Sequence, residues 1–417
     1  MRRMTTGADR DVVVVGASLA GCATAALLAR AGARVTVVER APEPAHYKRI
    51  CGHFIQASAV PAIERLGLLG ALREAGAVDS HPRLRTRWGW VAGNEVPPCL
   101  NLRREKLDPI VRAHAAATPG VELLAGRTVT GLIRDGGRVA GVRLRDGAEL
   151  RADLVVGADG RDSAVAELAE LRARTFPNGR FSYGAYYEGP GPDHAPDGSV
   201  WFLDPDWVAA FPTDEGLTLY AVMPRLERLG EFKADRAGAL ERMVAAVPDA
   251  PPIAASQRVS RVFGKVDLTN RMRRPAADGV ALVGDAALAT DPIFGVGCGW
   301  AFQSAEWLAE ALTAWARGDE PLARGLGRYR RRWTRHLAPH AQMIHSYSTG
   351  RPFDRMERAL YRAAVDDPVL AARMHRIGTR MDSPLSILRP RYITRIARGG
   401  RRRRYSSTTR TSPSLTA

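Results

Sequence analysis

The sequence predicts an α/β protein: a parallel sheet flanked by helices, interrupted by an antiparallel domain and completed by further helices. Three observations carry this expectation. Residues 11–40 read as a strand, a glycine-rich turn, a helix and a second strand ending in an acid. Residues 176–267 turn aromatic and alternating, as in RFSYGAYYE (180–188) and SVWFLDPDW (199–207). A buried-strand pattern, GVALVGD (279–285), then returns ahead of a long helix through 300–316, so the first domain is discontinuous.

In chain order, Asp11 to Val15 is a β-branched run of the kind found where a parallel strand is covered on both faces. Gly16 to Gly21 turns the chain into an Ala/Leu-rich helix that stops near Gly32, and Arg34 to Val38 forms the next strand, completing a βαβ unit. Apolar residues recur at helical spacing after residue 104, and from Val121 to Val156 short strands are punctuated by DGG (135–137) and DG (146–147) turns, a β-meander. The expected division assigns 8–80, 104–175 and 268–340 to the nucleotide-binding domain and 81–103 with 176–267 to the second domain. A helical region occupies 341–398, and the polar stretch 399–417 is expected to be a disordered basic tail.

Composition excludes several classes. The 417 residues are 45% hydrophobic and 25% charged, which suits a globular core. Of the net charge of +17, nine arginines after Asp382, with no acid among them, supply +9 and leave +8 for the rest. Arginine outnumbers lysine fifty-seven to four, a coding bias more than a designed phosphate surface, and no nucleic-acid motif accompanies the charge, so nucleic acid is not expected as a partner. Cys22, Cys51, Cys99 and Cys298 form no CxxC pair, so neither a zinc site nor a disulfide framework is indicated and a reducing cytoplasmic compartment is expected. The first ten residues are followed by only four valines, too short a core for a signal peptide, and no apolar run approaches the roughly eighteen residues of a membrane span.

The chemistry begins in GASLAG (16–21). Gly16 permits the tight turn, Gly21 lets helix and strand pack closely, and the helix start offers N–H groups to a pyrophosphate. Ser18 stands where the middle glycine is usual and is small enough for the backbone to approach phosphate. Glu39, eighteen residues past Gly21 and followed by Arg40, ends the second strand, where a carboxylate accepts ribose hydroxyls and repels a 2′-phosphate. FAD or NAD therefore fits better than NADP.

Two further stretches, LVVGADGRDSAV (154–165) and GVALVGDAALATDPIFGVGCGWAF (279–302), follow in order. With the first motif they resemble the fingerprints of the flavoprotein monooxygenase superfamily that shares the para-hydroxybenzoate hydroxylase fold, over roughly residues 11–335. The resemblance implies a Rossmann-like FAD-binding domain with an inserted antiparallel-sheet substrate domain and C-terminal helices. It implies that Asp285 binds the ribityl hydroxyls, that Pro292, Gly295 and Gly297 form the loop facing the flavin ring, and that Asp159 and Gly160 lie near the pyrophosphate. It also implies that Arg104, in an RxxL pair with Leu107, touches the cofactor, with Arg103 as the alternative, and that Val129 neighbours the adenine.

Two departures qualify the likeness. Ala166 stands where many members carry an arginine linked to nicotinamide-nucleotide use, which leaves room for a separate reductase. YKRICGHF (47–54) and DWVAAFP (206–212) resemble the geranylgeranyl reductase branch, in which the cysteine lies beside the flavin. Cys51 and His53 are accordingly candidate catalytic residues, the alternatives being a packing thiol and a structural imidazole. The activity implied is an NAD(P)H- and O2-using monooxygenase that hydroxylates an aromatic or polyketide-like small molecule, with NADH or NADPH as donor. The alternatives are a flavin-dependent reductase of isoprenoid double bonds and a non-catalytic FAD-binding protein. A small hydrophobic or aromatic substrate would stack among Tyr183, Tyr186, Tyr187, Trp201 and Trp207, and no integral membrane association is expected.

Overall fold

Val12 to Val15 are buried on both sides of their strand, and this places Asp11–Val15 inside a six-stranded sheet. The structure, a computed structural model, describes residues 10–93 and 96–406. The sheet order is Ala276–Ala277, Val280–Leu282, Leu154–Gly157, Asp11–Val15, Arg34–Glu39, Val121–Ala125. All neighbours are parallel except the hairpin of the first two. Val12 stands opposite Leu154 on one side and Val35 on the other. The Leu19–Arg30 helix packs against the Gly297–Ala316 helix. The meander Val129–Asp135, Arg138–Leu144, Glu149–Arg151 is a separate antiparallel sheet.

The second sheet has eight strands: Gln257–Arg258, Ser182–Glu188, Thr218–Val222, Trp207–Pro212, Ser199–Phe202, Arg83–Thr86 and Gly89–Trp90 in order, with Phe263–Lys265 also on Ser182–Glu188. Residues 83–90 thus join this sheet, whereas Cys99–Asn101 pairs with Phe54–Ile55 and Val78–Ser80. The stretch 199–207 is two strands and not one. Pro205 has no N–H for the ladder, so the chain turns there, with Leu203 N–H bonding the Asp206 carbonyl at 2.8 Å. Side-chain alternation gives the sheet two faces. Tyr183, Tyr187, Trp201 and Tyr220 pack on the helices Leu229–Ala234 and Arg236–Ala245, and Phe202, Trp207, Phe211 and Leu219 belong to the core shared with the parallel sheet.

The C-terminal part consists of the helices Leu322–Ser348, Arg355–Ala364, Pro368–Gly378 and Pro390–Ser406. The last of these carries residues 399–406, which the sequence reading assigned to a disordered tail. Tyr392 and Ile396, one turn apart, are buried and anchor the helix in the main core. The rest of that expected tail, 407–417, lies outside the described residues. Among the described residues no helix is long and apolar enough to cross a membrane.

Candidate functional site

The glycine-rich turn is forced by contact. Gly16 has φ +105°, and a Cβ there would sit 2.6 Å from the Ala158 carbonyl oxygen. A Cβ on Gly21 would lie 1.8 Å from the Gly16 carbonyl oxygen. The helix start is thus pressed against two strands, with Ser18 as its N-cap. The Ser18 hydroxyl accepts from Arg104 Nη2 at 2.9 Å and does not cap its own helix. At the end of the second strand, Glu39 accepts from the N–H groups of Ala17 (2.7 Å) and Ala41 (2.8 Å).

A cavity of about 1080 Å³ runs from this turn to the antiparallel sheet. It is lined by Gly16, Ser18, Glu39, Arg40, Arg104 and Val129, by Asp159, Gly160 and Asp285, and by Pro292, Gly295 and Gly297. Gly21 alone of the expected cofactor residues lies behind the wall, packed on Gly16. Cys51 and His53 also line it. Arg103, the alternative to Arg104, turns away and bonds Asp214 at 2.9 Å, and Ala166 and Leu107 are fully buried outside the lining.

A charge network crosses the middle of the cavity. Arg104 pairs with Asp108 at 2.6 Å, both buried. Asp108 also accepts from the Lys48 N–H at 2.8 Å, and Lys48 Nζ lies 2.7 Å from Asp285. Burial pushes the Asp285 carboxyl upward, but the Lys48 ammonium together with Arg161 and Arg104 outweighs it and holds the group below its ordinary value. Burial raises the Asp159 carboxyl despite its bond from Ser163 Oγ at 2.5 Å. Arg112 joins the turn to the following loop, donating to the carbonyls of Ala17 (3.1 Å) and His46 (2.8 Å). Lys48, Asp108 and Arg112 escaped the sequence reading. Asp108 alone had a signal, an acid one helical turn after Arg104.

Cys51 Sγ lies 3.6 Å from Cys298 Sγ at the start of the Gly297–Ala316 helix, with Arg104 Nη1 4.0 Å from Cys298. The hydrogen bond from Cys298, opposed by burial and aided by Arg104 and Lys48, holds the Cys51 thiol well below its ordinary range, and the same bond with burial drives Cys298 up. His53 is fully buried at φ +46°, a strained conformation for a non-glycine residue. Its Nδ1 is 3.2 Å from the Tyr186 hydroxyl, and its buried Nε2 makes no hydrogen bond among the described residues. Burial pushes the imidazole down to about 3, so it is neutral at physiological pH.

The far wall is apolar. Phe202, Trp207, Phe211 and Leu219 come from the sheet, and Met343, Tyr361 and Met374 from the C-terminal helices. Of the five aromatic residues expected around a substrate, Trp207 lines the cavity and Tyr186 holds His53. Tyr183 borders the cavity, but its ring stacks on Phe232 at 5.7 Å. Tyr187 and Trp201 belong to the opposite face, where Tyr187 bonds Glu241 at 3.0 Å and Trp201 Nε1 bonds the Pro248 carbonyl at 2.8 Å. Strand alternation decides this: residues two apart share a face, and Tyr183, Ala185 and Tyr187 share the one away from the cavity.

A model of the FAD binding domain family matches residues 9–344. The chain belongs to this FAD-binding family. It is an FAD-dependent oxidoreductase with the para-hydroxybenzoate hydroxylase type of fold. It is 35% identical over 176 residues to 6-methylpretetramide 4-monooxygenase of Streptomyces rimosus, a match covering 40% of this chain and 42% of that enzyme. It is 30% identical over 359 residues to digeranylgeranylglycerophospholipid reductase 1 of Methanopyrus kandleri, covering 78% of this chain and 85% of that one. Pseudomonas aeruginosa PqsL, in complex with 2-aminobenzoylacetate, superposes with a TM-score of 0.71 at 25% identity, covering 87% of this chain and 99% of that one. The residues present fit FAD. Side chains are excluded where the Gly16–Gly21 turn must close, the helix-start residues Ser18, Leu19 and Ala20 line the cavity, and the carboxylates of Glu39 and Asp285 border it as acceptors.

Proposed function

We propose that this protein is an FAD-dependent monooxygenase that hydroxylates an aromatic or polyketide-like small molecule, with NADH or NADPH as electron donor. The observation that carries the reading is that one cavity joins the glycine-rich turn to a wall of Phe202, Trp207, Phe211 and Leu219. FAD, when bound, supplies the electron transfer and oxygen activation for such a reaction. Ser18 and the helix-start amides, with Asp159, Gly160 and Arg104, hold its pyrophosphate region; Glu39, Arg40 and Val129 its adenosine; Asp285 its ribityl chain; and Pro292, Gly295 and Gly297 its ring edge.

The remaining wall keeps water from the reacting atoms and holds a flat apolar substrate. A histidine pushed down to about 3 is a poor base at neutral pH, so His53 acts as an orienting group. Tyr186 fixes the ring through Nδ1, and the buried Nε2 has no hydrogen-bond partner among the described residues. Relatives that act as a pretetramide monooxygenase and that bind 2-aminobenzoylacetate support this substrate class.

A reductase of isoprenoid double bonds is the second reading. It is favoured by the acidified Cys51 thiol on the cavity wall and by the longer match to the archaeal reductase. The deciding experiment follows NADH and NADPH oxidation and oxygen uptake over a panel of aromatic acceptors, with product analysis. Substrate-dependent oxygen uptake giving a hydroxylated product supports the first reading; anaerobic reduction of an isoprenoid alkene, with no hydroxylation, replaces it with the second.

A further inference from the structure

We infer that the C-terminal region docks on an anionic phospholipid surface at the mouth of the substrate cavity. The 3₁₀ turn Pro384–Leu388 has three residues per turn, so positions three apart align. Pro384 and Ile387 line the cavity. Leu385 and Leu388, on another side of the turn, are 63% and 52% exposed. Met356 both lines the cavity and is 42% exposed, so the cavity reaches the surface beside it. Ile393, on the helix that follows the turn, is also exposed.

Along this segment of the chain the charge has one sign, and the neighbouring acids Asp367, Asp382 and Glu357 each pair with an arginine. From Ser383 to the end of the sequence there are nine arginines and no acid. The Pro390–Ser406 helix buries Tyr392 and Ile396 and leaves Arg391 and Arg398 exposed, as is Arg389 just before it, while Arg395 bonds Asp367 at 2.9 Å. Exposed leucines framed by cations are the composition of an interfacial surface: arginines meet lipid phosphates and leucines meet acyl chains. An acidic protein would satisfy the arginines without using leucines placed back to back with cavity-lining residues. A bilayer uses both, and it gives an apolar substrate a route to Ile387 that avoids water. The inference is independent of which reaction the cavity performs.

The test is sedimentation of the full-length, flavin-loaded protein with vesicles of phosphatidylcholine, with and without phosphatidylglycerol. Preferential binding to the anionic vesicles is expected, with a loss of at least about tenfold for Leu385→Asp/Leu388→Asp and a similar loss for Arg389→Gln/Arg391→Gln/Arg398→Gln. Flavin content and melting temperature of each variant establish that it is folded. If the leucine variant loses its fold, Leu385→Ser/Leu388→Ser replaces it, with the same expected direction. No preference for anionic vesicles overturns the inference. So does undiminished binding by a folded leucine variant, which would show unspecific attraction to the arginines, or tighter capture by an acidic carrier protein than by the vesicles.

Discussion

Lys48 and Asp285, 237 residues apart in the chain, meet across the cavity at 2.7 Å. The ammonium keeps the half-buried carboxyl ionised and able to accept hydrogen bonds. We expect Asp285→Ala to lose a charge-assisted bond to the cofactor, about 1.5–3 kcal/mol or a tenfold or greater fall in FAD affinity. Titration of apoprotein with FAD measures it. Unchanged affinity would remove Asp285 from the site.

Arg104 is buried and depends on Asp108 for its charge partner. Asp108→Ala leaves the guanidinium uncompensated and is expected to destabilise the protein by about 3–5 kcal/mol. Urea unfolding reads this directly, and Asp108→Asn, which keeps one acceptor, should lose less.

Gly21 and Gly297 separate folding from cofactor binding. A Cβ at Gly21 meets backbone at 1.8 Å, so Gly21→Ala should cost roughly 1–3 kcal/mol or more through overpacking and lower the melting temperature. A Cβ at Gly297 meets nothing within 4 Å, and Gly297 lines the cavity. Gly297→Ala is expected to fold normally and to retain less flavin, read as the flavin-to-protein absorbance ratio. Full occupancy in that variant would mean the ring does not approach this loop.

The pair His53 and Tyr186 predicts a kinetic signature. Tyr186→Phe removes the hydroxyl that fixes the imidazole and should lower kcat/KM about tenfold, near 1.4 kcal/mol, with flavin content unchanged. An equal fall in flavin content would indicate a structural role instead.

Stability should depend on acid. Burial pushes His53 down to about 3 and His345 and His375 to about 4. These groups are neutral when folded and titrate near 6.5 when unfolded, so below that pH the unfolded chain binds more protons. Their contribution is complete above about pH 6.5 and is lost as pH falls toward 4, at up to about 1.4 kcal/mol per histidine per pH unit. We expect the melting temperature to fall across this window. His345→Phe, which keeps the ring stack on Phe176, should flatten the fall by one proton. An unchanged slope would contradict the assignment.

How much was legible varies with the range of the interaction. The strand Asp11–Val15 was readable to the residue because a β-branched run needs no partner to announce it, and the glycines at 16 and 21 because their constraint is local. Cys99–Asn101 was placed with its chain neighbours, and only three-dimensional pairing sends it to Phe54–Ile55. Tyr187 and Trp201 look like pocket residues until the sheet shows which face each occupies. Lys48 sits in a loop whose sequence says nothing of a carboxylate 237 residues away. The helical continuation past Gly399 was hidden by arginines, whose polarity masks the anchoring pair Tyr392 and Ile396.

The sheet order also has a consequence during synthesis. Leu154–Gly157 acquires its outer partner only when Val280–Leu282 emerges from the ribosome. That delay of about 120 residues amounts to roughly 6–25 s of translation. Through it the nascent chain carries an open parallel edge of Leu154, Val155 and Val156, a template for mispairing. The cavity-lining residues Asp285, Pro292, Gly295 and Gly297 follow the Val280–Leu282 strand and are made later still.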